Sequence, residues 1–304
     1  MDVFLLGAGF SKALHQAMPL MSELGATVCR NLQLPNETLE PFGGDFEAWF
    51  SYLAEPQPWF SNAEAHDNAA MFERASQQVY SIILKAHPER DFENKTLEQL
   101  AQYWVDHNSH IITFNYDLIV EQALNQTIRG SAIDSFYEIP LTSRRKPGGL
   151  VIGPKQLGQR RPHLYKLHGS LNWLWGGEGD QKTPASINDS GSDGTLYSDL
   201  KPMVIPPTSS KSMFYDHRGL RAQWRSAYRQ LRSASRLIVI GYSMPLSDLQ
   251  VRAMLASGLR KDTELVVADY NSEVAESIAA RLHNLRKGTV FSGDLSVEKL
   301  AASL

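Results

Sequence analysis

Val3-Phe4-Leu5-Leu6-Gly7-Ala8-Gly9-Phe10-Ser11, followed at once by a helical pattern, decides the fold class of this chain. Four apolar residues without polar alternation describe a strand covered on both faces, as in a parallel sheet. The glycines allow a tight turn, and the helix behind it would open with unpaired N–H groups. Strand, turn and helix N-terminus together can admit a pyrophosphate close to the backbone. The same stretch also suits a purely structural turn of an α/β protein. Lys12 or Ala13 replaces the third glycine of the dinucleotide fingerprint, and Glu23, the nearest acidic residue downstream, falls inside the helical pattern at 12–32. An ordinary dehydrogenase is therefore disfavoured.

Further short apolar runs rich in β-branched residues occur at 111–114, 164–167, 237–240, 265–268 and 289–291. Amphipathic helical patterns separate them, at 117–127, 246–259 and 272–285. This alternation predicts an α/β fold, a Rossmann-like open parallel sheet with helices on both faces. Helical signals at 46–54, 63–86 and 97–107 without a strand between them predict a helical insertion over about 45–108. Gly/Ser/Asp-rich sequence over about 176–202 predicts a long surface loop. The whole of 1–304 is expected to form one domain.

Composition narrows the function classes. The 304 residues are 42% hydrophobic and 21% charged, globular values that exclude extended disorder. Thirty basic against thirty-three acidic residues give a net charge of −3, so bulk charge favours neither nucleic acid nor membrane. The single cysteine, Cys29, excludes an internal disulfide and a multi-cysteine zinc site, and no spacing suggests any other metal site. No apolar run is long enough to cross a membrane, and no basic segment precedes the one at 3–6, so a cytoplasmic protein is expected.

One local exception to the charge balance stands out. Arg218, Arg221, Arg225, Arg229, Arg232 and Arg236 recur every three or four residues, with no acidic residue between Asp216 and Asp248. On a helix they would form a basic ridge, with Leu220, Trp224, Tyr228 and Leu231 as the inward stripe. Such a ridge is either a solvated face or a contact surface for an acidic partner, a second subunit or nucleic acid.

Four more segments place small or polar residues where predicted strands end, the edge at which open α/β sheets bind ligands. They are Thr113-Phe114-Asn115-Tyr116-Asp117, Lys166-Leu167-His168-Gly169-Ser170, Ile240-Gly241-Tyr242-Ser243-Met244-Pro245 and Val267-Ala268-Asp269-Tyr270-Asn271. Together with the first loop this series resembles the sirtuin superfamily, and more closely its bacterial sirtuin-like branch that cleaves NAD in anti-phage defence. Gly7-Ala8-Gly9-Phe10-Ser11 is similar to the sirtuin Gly-Ala-Gly-hydrophobic-Ser loop. Asn115-Tyr116-Asp117 looks like the Asn-x-Asp motif, Leu167-His168-Gly169 like the strand end carrying the general base, and Gly241-Tyr242-Ser243 like the later Gly-x-Ser loop. Asp269 and Asn271 fall where the family contacts the adenosine ribose.

The resemblance implies NAD as substrate, with catalytic Asn115 and His168. It implies cofactor contacts from Gly7, Ala8, Gly9, Phe10, Ser11, Asp117, Gly241, Ser243, Asp269 and Asn271. Sirtuin deacylases carry a four-cysteine zinc module between the His-Gly and Gly-x-Ser motifs; residues 170–240 hold no cysteine, which disfavours deacylation. The expected activity is NAD hydrolysis in an NAD-depleting defence effector. Alternatives are a deacylase, a cyclase attacking with an adenine nitrogen, and a silent nucleotide-sensing module. Because no sensor domain is fused to the chain, control is expected from homo-oligomerisation or a separate activating protein, such as an ATPase or nucleic-acid sensor. Direct nucleic-acid contact would be confined to the arginine ridge.

The chemistry accommodates those roles. Nicotinamide leaves as a neutral molecule, so the demand falls on the oxocarbenium-like ribose and on its nucleophile. A neutral histidine, with an ordinary pKa near 6.5, can accept a proton from a ribose hydroxyl or water. An asparagine can hold ribose and water without adding charge. Simpler roles compete: Asn115 and Asp117 as caps of the following helix, Ser11 and Ser243 as caps, Phe10 and Tyr242 as core.

Overall fold

The computed structural model describes residues 1–128, 133–137, 142–143, 161–175, 186–187, 201–208 and 217–304. The chain opens with β1 (Asp2–Leu6) and α1 (Ala8–Leu14), then α2 (Met21–Asn31), α3 (Phe46–Ala54), α4 (Asn62–Ala86) and α5 (Lys95–His107). β2 (His110–Thr113) and α6 (Ile119–Thr127) follow, and β3 (Thr142–Ser143), β4 (His163–Lys166), β5 (Gly169–Trp175), β6 (Ser186–Ile187) and β7 (Lys201–Val204) come next. The C-terminal part runs α7 (Arg218–Ser233), β8 (Arg236–Ile240), α8 (Leu249–Gly258), β9 (Glu264–Asp269), α9 (Ser272–Arg281), β10 (Arg286–Ser292) and α10 (Ser296–Ser303).

Six strands form one sheet in the order β10-β9-β8-β1-β2-β4, all paired in parallel. Alternate residues of each strand serve opposite layers, as the pleat requires. Phe4 and Leu6 of β1, with Ile111, Ile238 and Val266, pack under α2, α3, α5, α6 and α10. Val3 and Leu5, with Ile112, Leu237, Val239 and Val267, pack under α7, α8 and α9. The chain winds one way from β1 to β2 and β4, and the other way through β8, β9 and β10. The strand order therefore reverses at β1 and β8, the crevice at which open α/β sheets bind ligands.

A smaller sheet, in the order β3-β6-β5-β7, branches from the end of β4. Gly169 makes the branch. Its φ of +84° lies in the left-handed region, and an added Cβ would sit 1.9 Å from the Met203 carbonyl oxygen. Only glycine accommodates both.

Two expectations need correction. The helical pattern at 12–32 is two helices, α1 and α2, separated by a turn in which the Met18 N–H bonds the His15 carbonyl. Pro19 explains the break, since proline disfavours helical geometry in the residue before it. The arginine ridge also stops short of Arg236. That residue begins β8 and pairs with Asp2 at 2.5 Å, while Tyr103 donates to the same carboxylate. Most of the loop expected at about 176–202 lies outside the described residues.

Candidate active site at the carboxyl edge of the sheet

The loops after β1 and β8 meet backbone to backbone. The Gly7 and Gly9 N–H groups donate to the carbonyls of Ile240 and Gly241 at 3.0 and 2.9 Å, and the Phe10 N–H donates to Gly7. A Cβ on Gly7 or Gly9 would lie 2.5 or 2.8 Å from the nearest Gly241 atom, and Gly241 itself has φ +57°. Packing of the two loops thus accounts for all three glycines and engages two of the N–H groups expected to face a pyrophosphate, while a third, that of Phe10, is taken within the first loop. The Phe10 side chain is core, 6.3 Å from Trp104 between ring centres. Ala8 is exposed at the start of α1.

A hydrogen-bonded cluster joins this loop to the end of β2. The Asn115 side-chain amide donates to the Gly7 carbonyl and to Ser11 Oγ, each at 2.8 Å. Ser11 donates in turn to Asp117 Oδ2 at 2.7 Å, and both Ser11 and Asp117 are buried. Thr113 sets the approach, accepting the Asn115 N–H at 3.1 Å while donating to the Leu6 carbonyl. The start of α6 is capped by Asp117, as one expectation had it, and by His87 rather than Asn115: Asp117 Oδ1 accepts the Ile119 N–H at 3.1 Å, and His87 Nε2 accepts the Leu118 N–H at 2.8 Å. Burial holds the His87 pKa below the ordinary value, opposed by the nearby Asp117 carboxylate.

His168 stands at the neighbouring strand end, between β4 and the Gly169 branch. It is 5% exposed, with its ring 5.1 Å from Phe114 and 6.4 Å from Trp224. Its carbonyl accepts the Ile205 N–H, and the Trp224 indole donates to the adjacent Leu167 carbonyl at 3.0 Å. Phe114 also packs on Tyr242, whose hydroxyl donates to Asp248 at 2.9 Å. His168 therefore packs on Phe114, the residue before Asn115, on one side and on Trp224 of α7 on the other.

Ser243 is exposed in the loop after β8. Asp269 ends β9, where it accepts the Asn271 N–H at 2.9 Å, and burial raises its pKa. Asn271 is exposed and caps α9 through the Glu273 N–H. These three lie along the same sheet edge as the Asn115 cluster, and no described contact joins them to it.

The largest element missed at the sequence level lies directly beneath. Lys166, on β4, is wholly buried and pairs with Glu121 of α6 at 2.9 Å. Its ammonium also donates to the carbonyls of Asp117 and Tyr116. Tyr137 donates to the same Glu121 oxygen at 2.7 Å, and burial beside that carboxylate pushes its hydroxyl pKa far up. The cation thus clamps the turn that carries Asn115 and Asp117. A lysine within the apolar run Leu164-Tyr165-Lys166-Leu167 was the available signal. Among the described residues no group of His, Cys, Asp and Glu could hold a metal ion, and no helix is long and apolar enough to cross a membrane.

Comparison with known proteins places the chain in a family. No curated protein sequence matches the chain. Among solved structures it is similar to a sirtuin described in a study of substrate affinity, with 15% identity, 100% of this chain and 92% of that one covered, and a TM-score of 0.45. It is also similar to Sir2Tm bound to a propionylated peptide, with 14% identity, coverage of 100% and 91%, and a TM-score of 0.45. A Sir2 complex with a p53 peptide and NAD+ shows 13% identity, coverage of 100% and 91%, and a TM-score of 0.42. The SIR2-like domain model matches residues 109–284, more than half of the chain. That span runs from β2 to the end of α9 and carries Asn115, Asp117, His168 and Ser243, so the chain belongs to the SIR2-like domain family.

Proposed function

We propose that this chain hydrolyses NAD at the nicotinamide–ribose bond, releasing nicotinamide and ADP-ribose. The observation that supports this is that Asn115 and His168 follow the ends of the paired strands β2 and β4, with Phe114 packed against the His168 ring. Asn115, anchored on Gly7 and Ser11, would hold a ribose hydroxyl or the attacking water. His168 would take the proton released as the nucleophile adds to the ribose carbon. The Asp269 carboxylate suits a ribose diol, since the Asn271 N–H engages one of its oxygens and no other described hydrogen bond takes the second.

The single cysteine of the sequence supports hydrolysis over peptide deacylation, because the four-cysteine module of sirtuin deacylases has no counterpart. The defence role, depletion of cytoplasmic NAD, rests on the motif resemblance. Control by oligomerisation or an activating protein is supported by α7: its exposed face carries Arg218, Arg221, Arg225, Arg229 and Arg232, while its Trp224 lies against His168. An event on the ridge would thus bear on the proposed base. The test is nicotinamide release from NAD with and without an acyl-lysine peptide. Equal release in both is the expected result, and release only with the peptide would replace the hydrolase with a deacylase.

A further inference from the structure

We infer that Ser11 and Asp117 are positioning residues for Asn115 rather than cofactor contacts, and that they fix which end of the Asn115 amide a ligand meets. This deepens the NAD-cleaving reading and rests on it for its consequence in catalysis.

Three hydrogen bonds carry the inference. A carbonyl oxygen only accepts, so the group facing Gly7 at 2.8 Å must be the amide NH2 of Asn115, which settles the orientation of that side chain. The second amide proton goes to Ser11 Oγ at 2.8 Å. Ser11 can accept there because its own proton is committed to Asp117 Oδ2 at 2.7 Å, and the carboxylate can only accept. The polarity of the chain is thus set from Asp117 outward. Both Asn115 donors are consumed, and its Oδ1 is the end left to a ligand. Asn115 is half-buried, whereas Ser11 and Asp117 are buried behind it. The site therefore recognises a hydroxyl that donates, from the ribose or from water, and repels a group that only accepts.

Asp117 is buried with both oxygens engaged, the second taking the Ile119 N–H at 3.1 Å. Asp117→Asn keeps the shape but turns one of these acceptors into a donor. If that donor faces Ser11, the serine must reverse, and a flipped Asn115 amide would set its oxygen against the Gly7 carbonyl.

The experiment measures exchange of the Asn115 side-chain amide protons by NMR on protein labelled at asparagine, with Asn115→Ala to assign the signal, alongside kinetics of nicotinamide release. Ser11→Ala and Asp117→Asn should speed exchange about tenfold or more, as expected for one lost hydrogen bond. Both should lower kcat about 10- to 100-fold with KM for NAD held within about twofold, the pattern of a displaced reacting group. Ser11→Thr, which keeps the hydroxyl, should recover both. Unchanged exchange in the two variants would overturn the inference. So would a raised KM at constant kcat, the mark of a direct cofactor contact. If the wild type releases no nicotinamide, the NAD reading falls while the exchange data still decide the positioning.

Discussion

A lysine without solvent exposure needs partners, and Lys166 has a carboxylate and two carbonyls. Lys166→Met would leave Glu121 buried beside Tyr137 with no cation, a loss of about 3–5 kcal/mol. Urea unfolding checks this, and Lys166→Met with Glu121→Gln should recover much of it because neither charge then remains. His87 contributes a pH dependence. Its pKa is lowered by burial, so the unfolded chain binds the proton first as pH falls. Its contribution is complete above about pH 6.5 and is lost as pH drops from there through the lowered folded value. The urea midpoint should fall between about pH 7.5 and about pH 5.5 in the wild type, with a flatter profile in His87→Gln. Neither interaction was legible in the sequence beforehand. Glu121 and Lys166 are far apart along the chain, and His87 reaches α6 from the end of α4.

At the level of elements, five strands of the main sheet were legible because each holds a buried apolar run that glycines or polar loops end, whereas the edge strand β10 is exposed or half-buried throughout and shows only in its short run at 289–291. The second sheet was not. Gly169-Ser170-Leu171-Asn172-Trp173-Leu174-Trp175 mixes polar and apolar residues, and its partner β7 arrives only after a long intervening segment. The branch itself depends on one residue. Gly169→Ala would meet the Met203 carbonyl at 1.9 Å as well as an unfavourable φ, so soluble folded protein should be lost. Gly43→Ala separates the two effects: φ is +64° there but no atom lies within 4 Å, so only about 1–2 kcal/mol should go. Similar losses in both variants would show that the close approach to β7 does not matter. The site motifs were legible as strand ends. The Ser11–Asp117 bond was not, since it spans two loops that only the folded sheet brings together.

At the scale of the whole molecule, the arginines of α7 form a local basic face on a chain of net charge −3. Reversing Arg225 and Arg229 to glutamate should leave the unfolding free energy within about 0.5 kcal/mol, as for exposed positions elsewhere. The same variant should change oligomeric size or partner capture, read by light scattering. Unchanged assembly would leave the ridge a solvated face. The proposed activity rests on Asn115 and His168, which follow the ends of the paired strands β2 and β4. The most direct measurement is therefore nicotinamide release from NAD by the purified chain beside Asn115→Ala and His168→Ala. The expected result is release by the wild type that falls about 100-fold or more in each variant, with each variant still unfolding cooperatively above the assay temperature. Equal release by all three proteins, or a wild type that binds NAD and never cleaves it, would contradict the assignment.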